Sequence, residues 1–266
     1  MAFDLDGTLL DPTGRITTRV AVALRAAHEA GVTLALATGR PPFMLGNLIS
    51  AVGPAITHGV MANGAIVCTF PDGIPLRTLH FDIDIGVDTI TRLRRFDPAL
   101  GFALATDAGF AAERGFSERM PTEGHVAPAA DVLSASVGAT IVVKLMVFHS
   151  HLGAHELLDL LGPQVGDGLE VFHMGAEAVE IGPTGVDKAA GLQWLCDHLG
   201  IDSTDVMVFG DNTNDHTMLE WAGRGVAMGN AAPRTKALAD YVALPNDEDG
   251  VAVFIEELLH AYNRRH

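Results

Sequence analysis

The chain has 266 residues, 48% of them hydrophobic, and a formal net charge of −16. That is ample apolar material for one large domain or two smaller ones and excludes a disordered chain; the acidity repels nucleic acid at long range, yet a cation, one Lys and a few backbone N–H groups can still hold a small phosphorylated molecule. Cys68 and Cys196 lie apart in apolar segments and support neither a disulfide scaffold nor a zinc site, no basic and apolar leader is read, and no apolar run approaches the ~20 residues that span a bilayer, so a reducing cytoplasm without membrane attachment is expected.

From Met1 to about Val67, short apolar runs alternate with helical patterns, the signature of a parallel sheet built from βαβ units. The first strand is expected over Ala2–Leu5 and ends in Asp4-Leu5-Asp6-Gly7-Thr8. Alternation sends Asp4 and Asp6 the same way from the carboxyl end of a central strand, where open α/β sheets place ligands. Magnesium, a hard cation, would relieve their repulsion and leave Asp4 ionised as a nucleophile toward a phosphoryl group, with Asp6 as acid and base. The plain alternative is an Asp-rich turn that closes a hairpin or loosely holds calcium. A helix over Thr17–Ala30 carries Val20, Leu24 and Ala27 on one stripe, stops at Gly31 and feeds a buried strand over Val32–Ala37. Thr38-Gly39-Arg40 follows, where a hydroxyl and free N–H groups at a helix start suit a phosphoryl oxygen; an ordinary capping threonine is the competing account. A short helix near Phe43–Val52, the run Ala55–His58, and a hairpin of Gly59–Ala62 and Ala65–Thr69 turning at Asn63-Gly64 complete this part.

After about His80 the rhythm changes. Residues 82–181 read as an inserted α+β domain: helix Val87–Phe96, strands Phe102–Thr106 and Phe110–Glu113, a polar stretch, strand Thr140–Phe148, helix His155–Leu161, and strands Leu169–His173 and Ala178–Ile181. Lys144 and His173 are the residues of this insert considered for facing a substrate, although packing or surface roles are commoner for such positions. From Asp187 the parallel rhythm returns, with helix to Leu199, strand Val206–Phe209, helix Asp215–Trp221, strand Gly225–Met228, helix Pro233–Ala239, strand Tyr241–Leu244 and helix Val251–Tyr262. Lys188 stands near the start of an otherwise apolar helix, where the dipole does not favour a cation and an external anion would explain it. Gly210-Asp211-Asn212-Thr213-Asn214-Asp215 crowds more carboxylates and amides into one strand end than a turn requires. Asp211 is the candidate metal ligand, Asn214 a candidate hydrogen-bond donor to phosphate, and Asp215 an anion that holds Lys188 in place.

Four polar clusters thus end or follow expected parallel strands, and a single sheet would bring them to one edge. At this point the chain resembles the haloacid dehalogenase superfamily, within it the Cof-like sugar-phosphatase branch. The resemblance rests on Asp4-Leu5-Asp6-Gly7-Thr8, Thr38-Gly39-Arg40-Pro41, Asn63-Gly64-Ala65, Glu180-Ile181 with Gly185-Val186-Asp187-Lys188, the Gly210–Asp215 run and Asn246-Asp247-Glu248-Asp249-Gly250-Val251-Ala252. It implies an α/β fold with a Rossmann-like parallel-sheet core over 1–81 and 182–266 and an α+β cap over 82–181 that sets substrate selectivity. It further implies Asp4 as nucleophile, Asp6 as acid/base whose main-chain carbonyl also meets Mg2+, Asp211 as the remaining metal ligand, Thr38, Gly39, Lys188 and Asn214 around the phosphate, and Asp215 and Arg40 in support. The implied activity is a Mg2+-dependent phosphatase acting on a sugar phosphate or a phosphorylated cofactor, as a monomer or homodimer. A phosphomutase, or a module that keeps its aspartyl phosphate as a signal, are the alternatives. Only three residues precede Asp4, so the first strand is expected to be shortened, or the natural start to lie upstream.

Overall fold

The structure is a computed structural model and describes residues 1–45, 55–107, 109–119, 129–174 and 177–264. It divides into two compact units, residues 1–77 with 187–266, and residues 78–186, with boundaries a few residues outside those of the sequence rhythm.

The first unit is built on a sheet of the strands β1 (Ala2–Phe3), β2 (Ala35–Ala37), β3 (His58–Met61), β4 (Ile66–Thr69), β5 (Pro75–Thr78), β12 (Met207–Gly210), β13 (Arg224–Ala227) and β14 (Tyr241–Val242). Their spatial order is β14-β13-β12-β1-β2-β3-β4-β5. From β14 to β3 every pairing is parallel, and β3–β4 is an antiparallel hairpin. Register sorts the core by pleat: Phe3 lies between Leu36 and Phe209, and Ala2 between Ala35 and Val208. The first set packs on α1 (Thr18–Glu29) and α9 (Gly250–Asn263), with the Phe3 and Phe209 rings stacked at 4.9 Å. The second set, with its small alanines, faces α6 (Lys188–Leu199) and α7 (His216–Trp221), and α8 (Pro233–Leu238) connects β13 to β14. Helices on both faces of a mostly parallel sheet are the Rossmann-like arrangement.

Close approach on that second face is required locally. A Cβ on Gly191 of α6 would come 2.5 Å from Val60 Cγ1 and 2.8 Å from Gly64 Cα. Glycine at this position therefore lets the first turn of α6 sit down on the strand ends, which brings Lys188 within reach of them.

The second unit has its own sheet, made of β6 (Phe81–Asp82), β7 (Leu100–Thr106), β8 (Gly109–Ala112), β9 (Ile141–His149), β10 (Leu169–Met174) and β11 (Ala178–Pro183), all in antiparallel pairs. The order is β10-β11-β9-β7-β8, with β6 paired to β9. One face packs Phe102, Leu104, Leu145 and Val147 against Ile90 and Leu93 of α2 (Ile83–Phe96) and Leu157 and Leu161 of α5 (Ala154–Leu161). The other carries Ala103, Met146, Phe148 and Ala178 with Phe116 of α3 (Arg114–Arg119). On this second face Lys144 reaches diagonally from β9 to Glu180 of β11 at 2.6 Å, and both side chains are buried.

Some elements differ from expectation. β1 stops at Phe3, and Leu5–Leu9 form a wide turn in which Leu10 N–H donates to Leu5 O at 2.9 Å and Gly7 takes φ 83°. The hairpin turns through four residues, since Met61 pairs with Ile66, rather than through Asn63-Gly64 alone. β5 and β6 carry too little alternation to announce themselves, and part of the polar stretch forms α3 and α4 (Val132–Ala135). Of the expected helix near Phe43–Val52, Pro42–Met44 form a single tight turn, and residues 46–54 lie outside the described residues.

Candidate active site

Lys188 opens α6, whose start is capped by the Asp187 carboxylate accepting from Ala190 N at 2.7 Å. Its side chain is 0% exposed, and Nζ donates to Asp4 Oδ1 at 2.5 Å and to Asp215 Oδ1 at 2.6 Å. Burial alone would discharge a lysine; the Asp215 and Asp4 carboxylates reverse that and hold it well above the ordinary lysine range. Asp215 is fully engaged, because its other oxygen accepts from the amides of Asp211 and Asn212, both at 2.9 Å. It thereby ties the lysine to the loop after β12.

Asp4 is the last residue bonded into the sheet, its N–H donating to Phe209 O at 2.9 Å, so its side chain leaves the carboxyl end of β1. Burial pushes the Asp4 carboxyl well above the usual range, Lys188 opposes that, and Asp215 and Asp211 add to it. Asp211 is pushed up to about 6, by burial first and then by Asp215. Its Oδ1 accepts the Thr8 hydroxyl at 3.1 Å, and a Cβ on Gly7 would lie 2.4 Å from its Oδ2. A side chain at position 7 would thus displace this carboxylate, besides being strained at positive φ.

Asp4, Asp211 and Asp215 each offer an oxygen within 4.8 Å of the others. With Asp215 spent on Lys188 and two amides, Asp4 and Asp211 remain as the pair suited to a shared ion. Three carboxylates against one ammonium leave a surplus of negative charge, and an all-oxygen donor set fits a hard divalent cation. The residues present therefore fit a metal of that class.

A second group lies around β2 and the β3–β4 turn. Thr38 is buried and its Oγ1 accepts from Arg40 N at 3.2 Å. Asn63 N donates to Thr38 O at 3.0 Å, Asn63 Oδ1 accepts from Asn214 Nδ2 at 3.1 Å, and a Cβ on Gly39 would lie 3.0 Å from that same oxygen. Thr38, Gly39 and Asn214 are therefore assembled around Asn63, which the sequence motifs include without assigning it a task. Its αL backbone, φ 54°, follows from the Asn-Gly signature.

Asp6 departs from the strand-pleat expectation. Because β1 ends before it, Asp6 does not share Asp4's surroundings: Asp4 is buried on Lys188, while the Asp6 side chain is 55% exposed and paired with Arg40. Arg40 Nε meets Asp6 Oδ2 at 2.9 Å and Nη2 meets Oδ1 at 2.5 Å. The turn itself is pinned from the far end of the chain, with Asn230 Nδ2 donating to Gly7 O at 2.9 Å and Asn246 Nδ2 to Leu10 O at 2.7 Å. Thr8, Asn230 and Asn246 are not among the site residues expected from sequence. Thr8 has a signal in the Asp-rich pentapeptide, whereas Asn230 has none.

In the second unit, Lys144 is taken up by Glu180, and His173 packs edge-on to His155 with ring centroids at 4.3 Å. His149 Nδ1 accepts from the amides of His151 and Leu152 at 3.0 and 3.1 Å.

A family model for haloacid dehalogenase-like hydrolases matches residues 1–255. An HMP-PP phosphatase of Cronobacter sakazakii is 31% identical over 261 residues, covering 92% of this chain and 88% of that protein. Among solved structures, a haloacid dehalogenase-like hydrolase from Bacteroides thetaiotaomicron superposes with a TM-score of 0.80 at 27% identity, covering 97% of this chain and 98% of that one. The HAD subclass IIB sugar phosphatase BT4131 gives 0.81 at 26% identity, covering 97% of each chain.

Proposed function

The chain belongs to the haloacid dehalogenase-like hydrolase family and is a phosphatase, and from that premise we propose that it hydrolyses a small phosphorylated metabolite through an aspartyl phosphate on Asp4. The observation that carries the reading is the fully buried Lys188 clamped between Asp4 and Asp215. A cation so placed fixes one oxygen of Asp4 and leaves the carboxylate directed toward an incoming phosphoryl group.

An oxygen of Asp4 attacks phosphorus while the bond to the substrate's alkoxide breaks, and Asp6 gives that alkoxide a proton. Asp6 then takes a proton from the water that attacks the aspartyl phosphate; the bond to Asp4 breaks, and inorganic phosphate leaves with Asp4 ionised again. Thr38, Gly39, Lys188 and Asn214 hold the phosphoryl oxygens, and Asn63 orients Asn214. Asp4 and Asp211, with the main-chain carbonyl of Asp6, would hold Mg2+, which when bound neutralises charge between the carboxylates and the phosphoryl group.

Residues 78–186 act as the cap that selects the substrate and excludes water from the first step. The named activities of two relatives, a sugar phosphatase and an HMP-PP phosphatase, support a small phosphorylated metabolite, for which a sugar phosphate or a phosphorylated cofactor is our proposal. A panel of such compounds with Mg2+, scored for free phosphate, tests this. At least one is expected to release phosphate well above an Asp4→Asn control, and a panel on which the two proteins are indistinguishable would refute the reading.

A further inference from the structure

Arg40 is fixed at its backbone, and its side chain reaches across the site. Its N–H donates to Thr38 Oγ1 at 3.2 Å and its carbonyl accepts from Ala62 N at 3.1 Å, which holds its Cα beside Thr38 and Gly39. The guanidinium extends to the turn after β1 and takes both oxygens of Asp6. With both oxygens turned to one fork, the Asp6 carboxylate is committed to Arg40 rather than to a leaving alkoxide. The arrangement is thus a resting one for a group that must act as acid and base.

Two properties make it releasable. The pair is partly exposed, at 23% for Arg40 and 55% for Asp6, so water can take over the hydrogen bonds of Asp6 when the fork lets go. A phosphoryl group presents the same two-oxygen edge to a guanidinium as a carboxylate does, with greater charge, so it competes well for a bidentate Arg. It would arrive at Thr38 and Gly39, next to the fixed backbone of Arg40.

We infer that Arg40 is a substrate-released latch that clamps Asp6 in the resting enzyme and passes its fork to the phosphoryl group on binding, which frees Asp6. This rests on the phosphatase reading above. The order of events is then built into the site: the acid/base is set free only when there is a phosphoryl group to act on.

The direct test is a pair of crystal structures of the full chain, one without additions and one with Mg2+ and beryllium fluoride as the phosphoryl mimic. The first is expected to keep both Arg40–Asp6 hydrogen bonds; the second is expected to show beryllium trifluoride bonded through beryllium to an Asp4 oxygen, both of those hydrogen bonds broken and the guanidinium on the fluorides. Beryllium trifluoride on Asp4 beside an intact Arg40–Asp6 pair would overturn the latch and leave the phosphatase reading standing. No beryllium trifluoride on Asp4 would remove the reading on which the latch depends, and the latch with it. Kinetics give a second readout: Arg40→Ala is expected to raise KM for an alkyl phosphate about tenfold with kcat within about threefold of the parent, and Arg40→Lys to recover little of it because the fork is missing. An unchanged KM, with kcat and Tm falling together, would mark a structural residue and refute the proposal.

Discussion

Each unit of the protein buries a lysine, and the two are handled differently. Lys144 lies within a continuous antiparallel sheet and is paired with the buried Glu180, on the sheet face that also carries Met146. Lys188 lies where strands end, between Asp4 and Asp215 with Asp211 close by, so that negative charge is in excess. A buried ion pair in the body of a sheet serves packing, whereas an unbalanced cluster at strand ends calls for a further cation or substrate. Surplus charge at strand ends, rather than burial of charge, is what distinguishes the candidate site from a piece of architecture.

Substitution of the two lysines should separate these roles most strongly. Lys188→Met is expected to lower kcat by about a hundred- to a thousandfold, the usual cost of losing a group that stabilises transition-state charge. Three neighbouring carboxylates would be left without their ammonium, so its Tm should also fall, and Mg2+ should restore part of that fall. Lys144→Met is expected to act on stability instead, costing about 3–5 kcal/mol by chemical denaturation because its partner Glu180 stays buried without the ammonium. The double variant Lys144→Met with Glu180→Leu should recover most of that loss. A double variant as unstable as the single one would show that the pair does more than balance charge.

Acidity sharpens the contrast by a smaller margin. In the metal-free protein Asp211 is pushed up to about 6, so it carries a proton at pH 5 that it must lose to hold an ion. One such proton weakens apparent Mg2+ affinity about tenfold between pH 7 and pH 5, and the raised Asp4 steepens the trend. Carboxyls raised on folding stabilise the metal-free protein at low pH, and that contribution is lost as pH rises through about 6. The gain in Tm on adding Mg2+ should therefore grow from pH 5 to pH 7, and a flat gain would mean the ion does not meet Asp211. Smallest of all, Thr8→Val removes one hydroxyl from Asp211 and is expected to weaken Mg2+ binding by about 1 kcal/mol, measured by calorimetry.

Much of this is legible in the residues. The parallel rhythm places β2, β12 and β13, and the crowding of polar side chains after Phe209 marks the loop that ties Asp215 to Lys188. The orientation of Asp6 is not legible, because pleat alternation presumes a strand, and this one ends at Phe3 before a turn that Gly7 permits. Arg40 reads from sequence as a supporting residue with no partner named, since a contact across 34 positions leaves no periodicity to read. The same holds for Asn230 and Asn246, which pin the turn from the other end of the chain. Close approach leaves only a faint sign, a glycine at 191 inside a helical pattern.

If Asp4 carries the phosphoryl group between two displacements, as proposed, the carrier can be trapped. Rapid acid quenching of the enzyme during turnover with Mg2+ and a hydrolysed substrate, followed by mass spectrometry of its peptides, is expected to show the added mass of one phosphoryl group on Asp4, absent from Asp4→Asn. The same mass on another residue, or turnover with no covalent species at any quench time, would rule out Asp4 as the carrier.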